Sequence, residues 1–256
     1  MRETRRAAGH SIGSVQVCRP INDWMRMLLM KKLLVLLFSG LLPLVSAAGE
    51  YQSTLLVQTG QMRESDLVVR TVTDLASKKI CLTFYVRTVG TSPSMTCYDA
   101  ETSFKSQLNQ VGHFKEEELV VRKLKDSENN VSCLVAYTSA KGTSPAIDCY
   151  KNPTRGSDAI VRNGHLREGD LDVNRIVDAG SNKTCVIAYV KTGGTAPSLA
   201  CYTSKIPASG GMIQESFMRE GDLVARKIVD QANHMACLIT YVSTEGTSPN
   251  IYCFPG

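Results

Sequence analysis

After position 48 this 256-residue chain contains no tryptophan, because its single Trp is Trp24, and aromatic residues make up only 6% of it. A sugar site built on indole stacking therefore has no indole to use, and only tyrosines could substitute. A basic surplus is missing from the same region. Arg2, Arg5, Arg6, Arg19, Arg26, Lys31 and Lys32, set against Glu3 and Asp23, account for the whole net charge of +5. The other 22 basic and 22 acidic residues cancel, and no run of Lys and Arg appears among them. Proteins that bind phosphate backbones by counterion release need a basic stripe, so nucleic acid is not an expected partner.

Catalytic signatures are also absent. The chain has no G-x-S-x-G elbow, H-E-x-x-H helix, phosphate-binding loop or dinucleotide fingerprint. It has no C-x-x-C pair of the kind that holds zinc, so neither a metal nor another cofactor is expected. Histidine occurs after the leader only at His113, His165 and His234. Composition otherwise fits a folded globular protein, with 43% hydrophobic residues, 19 Gly and 9 Pro.

The first feature present is a leader. Met30-Lys31-Lys32 precedes an apolar run from Leu33 to Val45, and Ser46-Ala47-Ala48-Gly49 follows. A basic start, a short apolar centre and small residues at the end are the pattern of a secretory signal over 30–48, with cleavage after Ala47 or Ala48. The apolar run is too short to span a membrane, which takes roughly 20 residues, so the mature form is expected to have no membrane span. Residues 1–29 read as a doubtful extension, with Met25, Met27 and Met30 as alternative starts. The ninth cysteine, Cys18, falls within it.

The second feature is a period. Cys81 and Cys97, Cys133 and Cys149, Cys185 and Cys201, and Cys237 and Cys253 form pairs 16 positions apart, each pair 52 positions after the last. Glu64, Leu67, Asp74, Tyr85 and Gly90 recur in the same register through all four copies. Residues 49–256 therefore divide without a gap into repeats 49–100, 101–152, 153–204 and 205–256. Secretion favours oxidised cysteines, which predicts one disulfide per repeat.

Each repeat reads as strands. Leu67 to Thr73 is rich in β-branched residues and ends at Asp74, which opens a polar turn through Ser77-Lys78-Lys79. Ile80 to Arg87 is apolar on both faces, as a central strand should be. Gly90-Thr91-Ser92-Pro93 is a turn, followed by a short strand over 94–98. A weaker, shorter strand is expected around Leu55 to Val57. The fold class is thus all-β, four tandem antiparallel β-meanders. Pairing the strands around Val89 and Gly90 sets Cys81 opposite Cys97. Met95 and Cys97 share a face, expected to be the core, with Tyr98, Tyr150, Tyr202 and Phe254 on the other side. The repeats can close into a small four-bladed propeller-like ring or stack as a linear array. Closure hides sheet edges, which favours the ring.

Two sets of repeated residues are candidates for recognition. The Gly-Thr-Ser-Pro loops present Thr91, Pro93, Thr143, Pro145, Thr195, Pro197, Thr247 and Pro249, and a tip displayed four times can bind a repetitive partner by avidity. The charged tetrads beginning at Arg63, Lys115, Arg167 and Arg219 would converge in a closed ring, where they could meet a cation. Asn130 and Asn182 match the glycosylation pattern and read as turn residues. The expectation is a secreted, periplasmic or extracellular, non-catalytic protein. It binds an extracellular partner or assembles with itself through repeated loops. A carboxylate-dependent hydrolase and a fibre-forming subunit are the alternatives.

Overall fold

The computed structural model describes residues 56–101, 104–151, 157–204, 210–244 and 246–256. The leader, Cys18 and Trp24 lie outside the described residues. Four strands make each repeat: β1 Leu56–Glu64, β2 Leu67–Asp74, β3 Lys79–Val86 and β4 Ser94–Asp99 in the first, and β5 Leu108–Glu116, β6 Leu119–Asp126, β7 Val131–Thr138 and β8 Ala146–Lys151 in the second. The third holds β9 Ile160–Glu168, β10 Leu171–Asp178, β11 Lys183–Val190 and β12 Ser198–Thr203. The fourth holds β13 Met212–Glu220, β14 Leu223–Asp230, β15 Met235–Val242 and β16 Asn250–Pro255. Every repeat is one antiparallel sheet with its strands in sequence order. The all-β tandem-meander expectation holds, and Cys81 pairs directly across from Cys97, as do the other three cysteine pairs.

Local chemistry explains the turns. Asp74 accepts the backbone N–H of Ala76 at 3.0 Å and the Ser77 hydroxyl at 2.6 Å, and Asp178 does the same for Gly180 and Ser181. Lys78, Asn130, Asn182 and His234 then take positive φ, which suits Asn and explains the exposed Asn130 and Asn182 as turn residues. The first strand is longer than expected: it runs nine residues, with a bulge near Gly60. Gly112 and Gly164 share that column. A side chain at Gly164 would lie 3.0 Å from Arg175 Nε, so the missing Cβ makes room for the buried arginine.

The sheets stack face to face. One face of each sheet carries the disulfide (the cysteine face), and the other carries Tyr98 or its equivalent (the tyrosine face). The cysteine face of the second sheet packs on the tyrosine face of the first: Val120, Cys133, Val135 and Tyr137 meet Leu67, Leu82 and Phe84. The same pairing joins the second sheet to the third and the third to the fourth. All eight residues of β7 and of β10 are consequently buried.

Two expectations are corrected by this packing. The Met95–Cys97 face is not the core of its repeat, since Met95 is 68% exposed while Ile80, Leu82 and Phe84 on the opposite face are fully buried. In the inner repeats both faces are core, because each sheet has a neighbour on either side. The propeller-like closure is also not what forms. In a ring of four blades only the inner strands would approach one another. Here β1, β5, β9 and β13 are consecutive neighbours, and so are β4, β8, β12 and β16, so both edges of each sheet lie against the next. The first and fourth sheets are not among the neighbouring pairs, so the two ends of the array do not meet. The first and fourth sheets each keep one alternating, half-exposed face.

Candidate functional site

The β1–β2 turns and the β3–β4 loops fall at the same end of the stack, because a meander reverses direction at every turn. Backbone bonds tie them together: Arg87 N–H donates to Asp66 C=O at 2.8 Å, and Lys191 N–H donates to Asp170 C=O at 2.9 Å. This end therefore presents both sets of residues that the sequence singled out. The loops are in register along the stack. Ser92 N–H donates to Ser144 Oγ at 3.1 Å, and Ala196 N–H to Ser248 Oγ at 3.0 Å. Gly90 and Gly142 adopt positive φ, and a Cβ on Gly90 would sit 3.4 Å from the Cα of Gly142.

Within the loops, the threonines face inward. Thr91 Oγ1 donates to Val86 C=O at 2.7 Å, and Thr143 Oγ1 to Thr138 C=O at 2.9 Å; Thr195 and Thr247 repeat the contact. Thr143 and Thr195 are buried, as are Pro145, Pro197 and Pro249, whereas Pro93 is exposed. These hydroxyls satisfy carbonyls left over at the end of the third strand, a role that turn propensities alone do not reveal. The outward surface of the ridge comes from the neighbouring positions instead, with Val89 86% exposed and Lys141 and Gly193 also exposed.

The charged tetrads do not converge on an axis. They lie in a row at the loop-bearing end, one per sheet, and no group of three or more His, Cys, Asp or Glu residues suited to a metal occurs among the described residues. In two of them the last residue clamps repeats together: Tyr137 donates to Asp66 at 2.9 Å, and Tyr241 to Asp170 at 3.0 Å.

At the opposite end a second clamp recurs. Tyr98 donates to Asp126 at 2.7 Å, Tyr150 to Asp178 at 2.8 Å and Tyr202 to Asp230 at 2.6 Å. A cation from the same preceding repeat reaches the same carboxylate in two cases, Lys123 to Asp178 at 2.8 Å and Arg175 to Asp230. Burial is the main reason these tyrosines hold their protons above the ordinary range, and the adjoining carboxylates add to it. Tyr137 is pushed up to about 12 by burial, with Arg122 working against the rise. These pairs were legible in outline, since the Tyr and Asp columns both keep the period. Lys123 and Arg175 were not anticipated; the signal that could have found them is a cation in the column where the first repeat has Thr71.

One polar recess breaks the fourfold pattern. Glu116, Glu117, Arg162, His165, Asp172, Asn174 and Tyr189 line it, at the loop-bearing end between the second and third sheets. Asp172 stands where the other repeats have Val68, Val120 and Val224, and Asn174 where they have Arg70, Arg122 and Arg226. His165 Nε2 lies 3.0 Å from Asp172, Asn174 donates to the same carboxylate at 2.7 Å, and Arg162 pairs with Glu116 at 2.8 Å. Lys191 bridges Glu117 at 2.5 Å and Asp172 at 3.4 Å. The carboxylates are thus already engaged with neighbouring donors. His113, in the column of His165, is held below the usual histidine range by burial and the nearby Arg122.

The fold and these surfaces define a class: a tandem-repeat β protein whose disulfide-bonded sheets stack into one body. A scan of protein-family models finds none that matches the chain, and a search of curated proteins finds no match to its sequence. Four disulfides fit an oxidising compartment, extracellular or periplasmic. Among the described residues no helix is long and apolar enough to cross a membrane.

Proposed function

We infer that the protein is a secreted, non-catalytic binding or assembly protein whose working face is the loop-bearing end of the stack. One observation carries this reading: the hydrogen bonds from Ser92 to Ser144 and from Ala196 to Ser248 join neighbouring tips into a ridge. Stacked sheets lie about 10 Å apart, so the ridge repeats its surface at that interval. A partner with a matching repeat, such as a polysaccharide or a polymeric surface, would engage several tips at once and gain affinity by avidity.

The test uses the ridge itself. Val89→Glu, Lys141→Glu and Gly193→Glu together give three tips the residue that the fourth copy carries as Glu245. Purified protein is incubated with the extracellular material of the source cells, sedimented and quantified. Retention should fall at least tenfold in the triple variant, because avidity multiplies the loss at each tip. Unchanged retention would rule out the ridge as the working face.

A second reading, a hydrolase using the carboxylates of one copy, is favoured by the recess at Asp172 and His165, which no other repeat reproduces. Asp172→Asn and Glu116→Gln would each abolish a hydrolytic activity if that reading held, while Glu64→Gln and Glu220→Gln, in the column of Glu116, would not.

A further inference from the structure

We propose that copies of this protein assemble head to tail, the tyrosine face of the fourth sheet seating on the cysteine face of the first sheet in the next copy. The proposal deepens the reading of a binding or assembly protein by naming a second copy as one partner, and it uses the two ends of the stack rather than the ridge.

Within one chain the same heterologous contact is made three times, always cysteine face on tyrosine face. The ends of the stack are the two halves of that contact. The tyrosine face of the fourth sheet leaves Leu223 44% exposed, where Leu67, Leu119 and Leu171 are almost wholly buried. Leu238 is 42% exposed, where Leu82 and Leu134 have no exposure, and Tyr252 stands 71% exposed beside it. On the first sheet the outward cysteine face carries Met95, also largely exposed, whose counterpart Ile147 is packed against the first core cluster. Apolar side chains of this size on a sheet face are expected to be covered.

Charge supplies the register. Lys123 reaches Asp178 and Arg175 reaches Asp230, in each case 55 positions ahead. Carried one repeat further, Lys227 meets no such carboxylate among the described residues, where it pairs with the exposed Glu215 of its own sheet. The residue that would come next in the series is Asp74 of a following copy. Asp74 already forms the same turn as Asp178 and Asp230 but receives no cation among the described residues. The other clamp continues as well. Tyr137 donates to Asp66 and Tyr241 to Asp170, and the same step places Tyr85 of a following copy at Asp222. The hydroxyl of Tyr85 has no partner among the described residues. One contact is not reproduced: Phe254 stands in the column of Tyr98, Tyr150 and Tyr202, so the junction lacks that hydroxyl. A heterologous contact that does not close produces an open filament, here one chain wide.

Sedimentation velocity over a concentration series, with electron microscopy of the same samples, tests this on the purified oxidised protein. The native protein should form a ladder of multiples and thin filaments. Lys227→Asp alone and Asp74→Lys alone each put like charges at the junction and should raise the concentration needed for assembly by about tenfold or more. Mixing the two variants restores opposite charges at every junction and should restore filaments. Leu238→Arg, at a position exposed in the single chain, should block assembly without touching the Asp74 turn. A native protein that stays monomeric at every concentration overturns the proposal. So does assembly that ignores all three substitutions, or a mixture that fails to recover while both variants keep their native disulfides. Sedimentation with extracellular material remains a separate readout, so a monomer that is still retained there refutes head-to-tail assembly and leaves the ridge reading standing.

Discussion

Replacing Asp178 by alanine should be among the most damaging single changes in the molecule, and its cost can be worked from its contacts. The carboxylate is fully buried and accepts from Lys123 Nζ at 2.8 Å, Tyr150 at 2.8 Å, Ser181 Oγ at 2.6 Å and Gly180 N–H at 3.1 Å. Truncation leaves the Lys123 ammonium, which has no exposed side-chain surface, with only Asp158 at 3.5 Å as a counter-charge. Breaking a buried pair in this way costs about 3–5 kcal/mol, because an uncompensated charge stays in the core. Asp126 is the internal control. It holds Tyr98 at 2.7 Å and the same turn, but the residue in the column of Lys123 is Thr71, so no cation is stranded. Asp126→Ala should therefore cost only about 1–3 kcal/mol, the penalty for unsatisfied buried polar groups. At about 2–4 °C per kcal/mol for a body of this size, thermal unfolding followed by circular dichroism separates the two variants. The double change Lys123→Thr with Asp178→Ala, which removes the cation as Thr71 does at the first interface, should recover the part of the loss that the stranded charge causes. Equal costs for Asp126→Ala and Asp178→Ala, or no recovery in the double variant, would refute the claim that the stranded cation dominates.

Alkaline pH should weaken the fold from about pH 10, where tyrosines of the unfolded chain ionise. Burial raises Tyr98, Tyr150, Tyr189 and Tyr202 in the folded state. Between the two values the folded form binds more protons, so stability is complete below pH 10 and falls as pH rises, by up to about 1.4 kcal/mol per unit for each such tyrosine. Tyr150→Phe should flatten that slope in denaturant titrations run between pH 9 and 11, and an unchanged slope would contradict it. Adjacent glycines provide a second comparison. Gly194 has a φ of +82° whereas Gly193 does not lie in the left-handed region, and neither would meet a neighbour through an added Cβ. Gly194→Ala should cost about 1–2 kcal/mol from backbone strain, and Gly193→Ala should be neutral or slightly stabilising in the same melt.

The sequence by itself determined the unit and its number. Covalent spacing and side-chain period act within one repeat, so Cys81 opposite Cys97, the strand Lys79–Val86 and the Asp74 turn could all be read from neighbouring residues. That the loops and the tetrads share one end follows from the observed strand order, since the β1–β2 and β3–β4 turns lie on the same side of a meander. Only the tertiary structure decided how the units meet. Whether both faces of Val131–Thr138 are covered, and whether Met95 faces a neighbour or water, depends on how successive sheets pack, which no local pattern encodes. That packing buried Thr143 and Thr195, whose bonds to Thr138 and Val190 are local, and carried Tyr150 and Lys123 onto Asp178 in the next repeat. It also left the first and last sheets with one unpaired face each, because an open stack of like units always ends in two unmatched halves of its own interface.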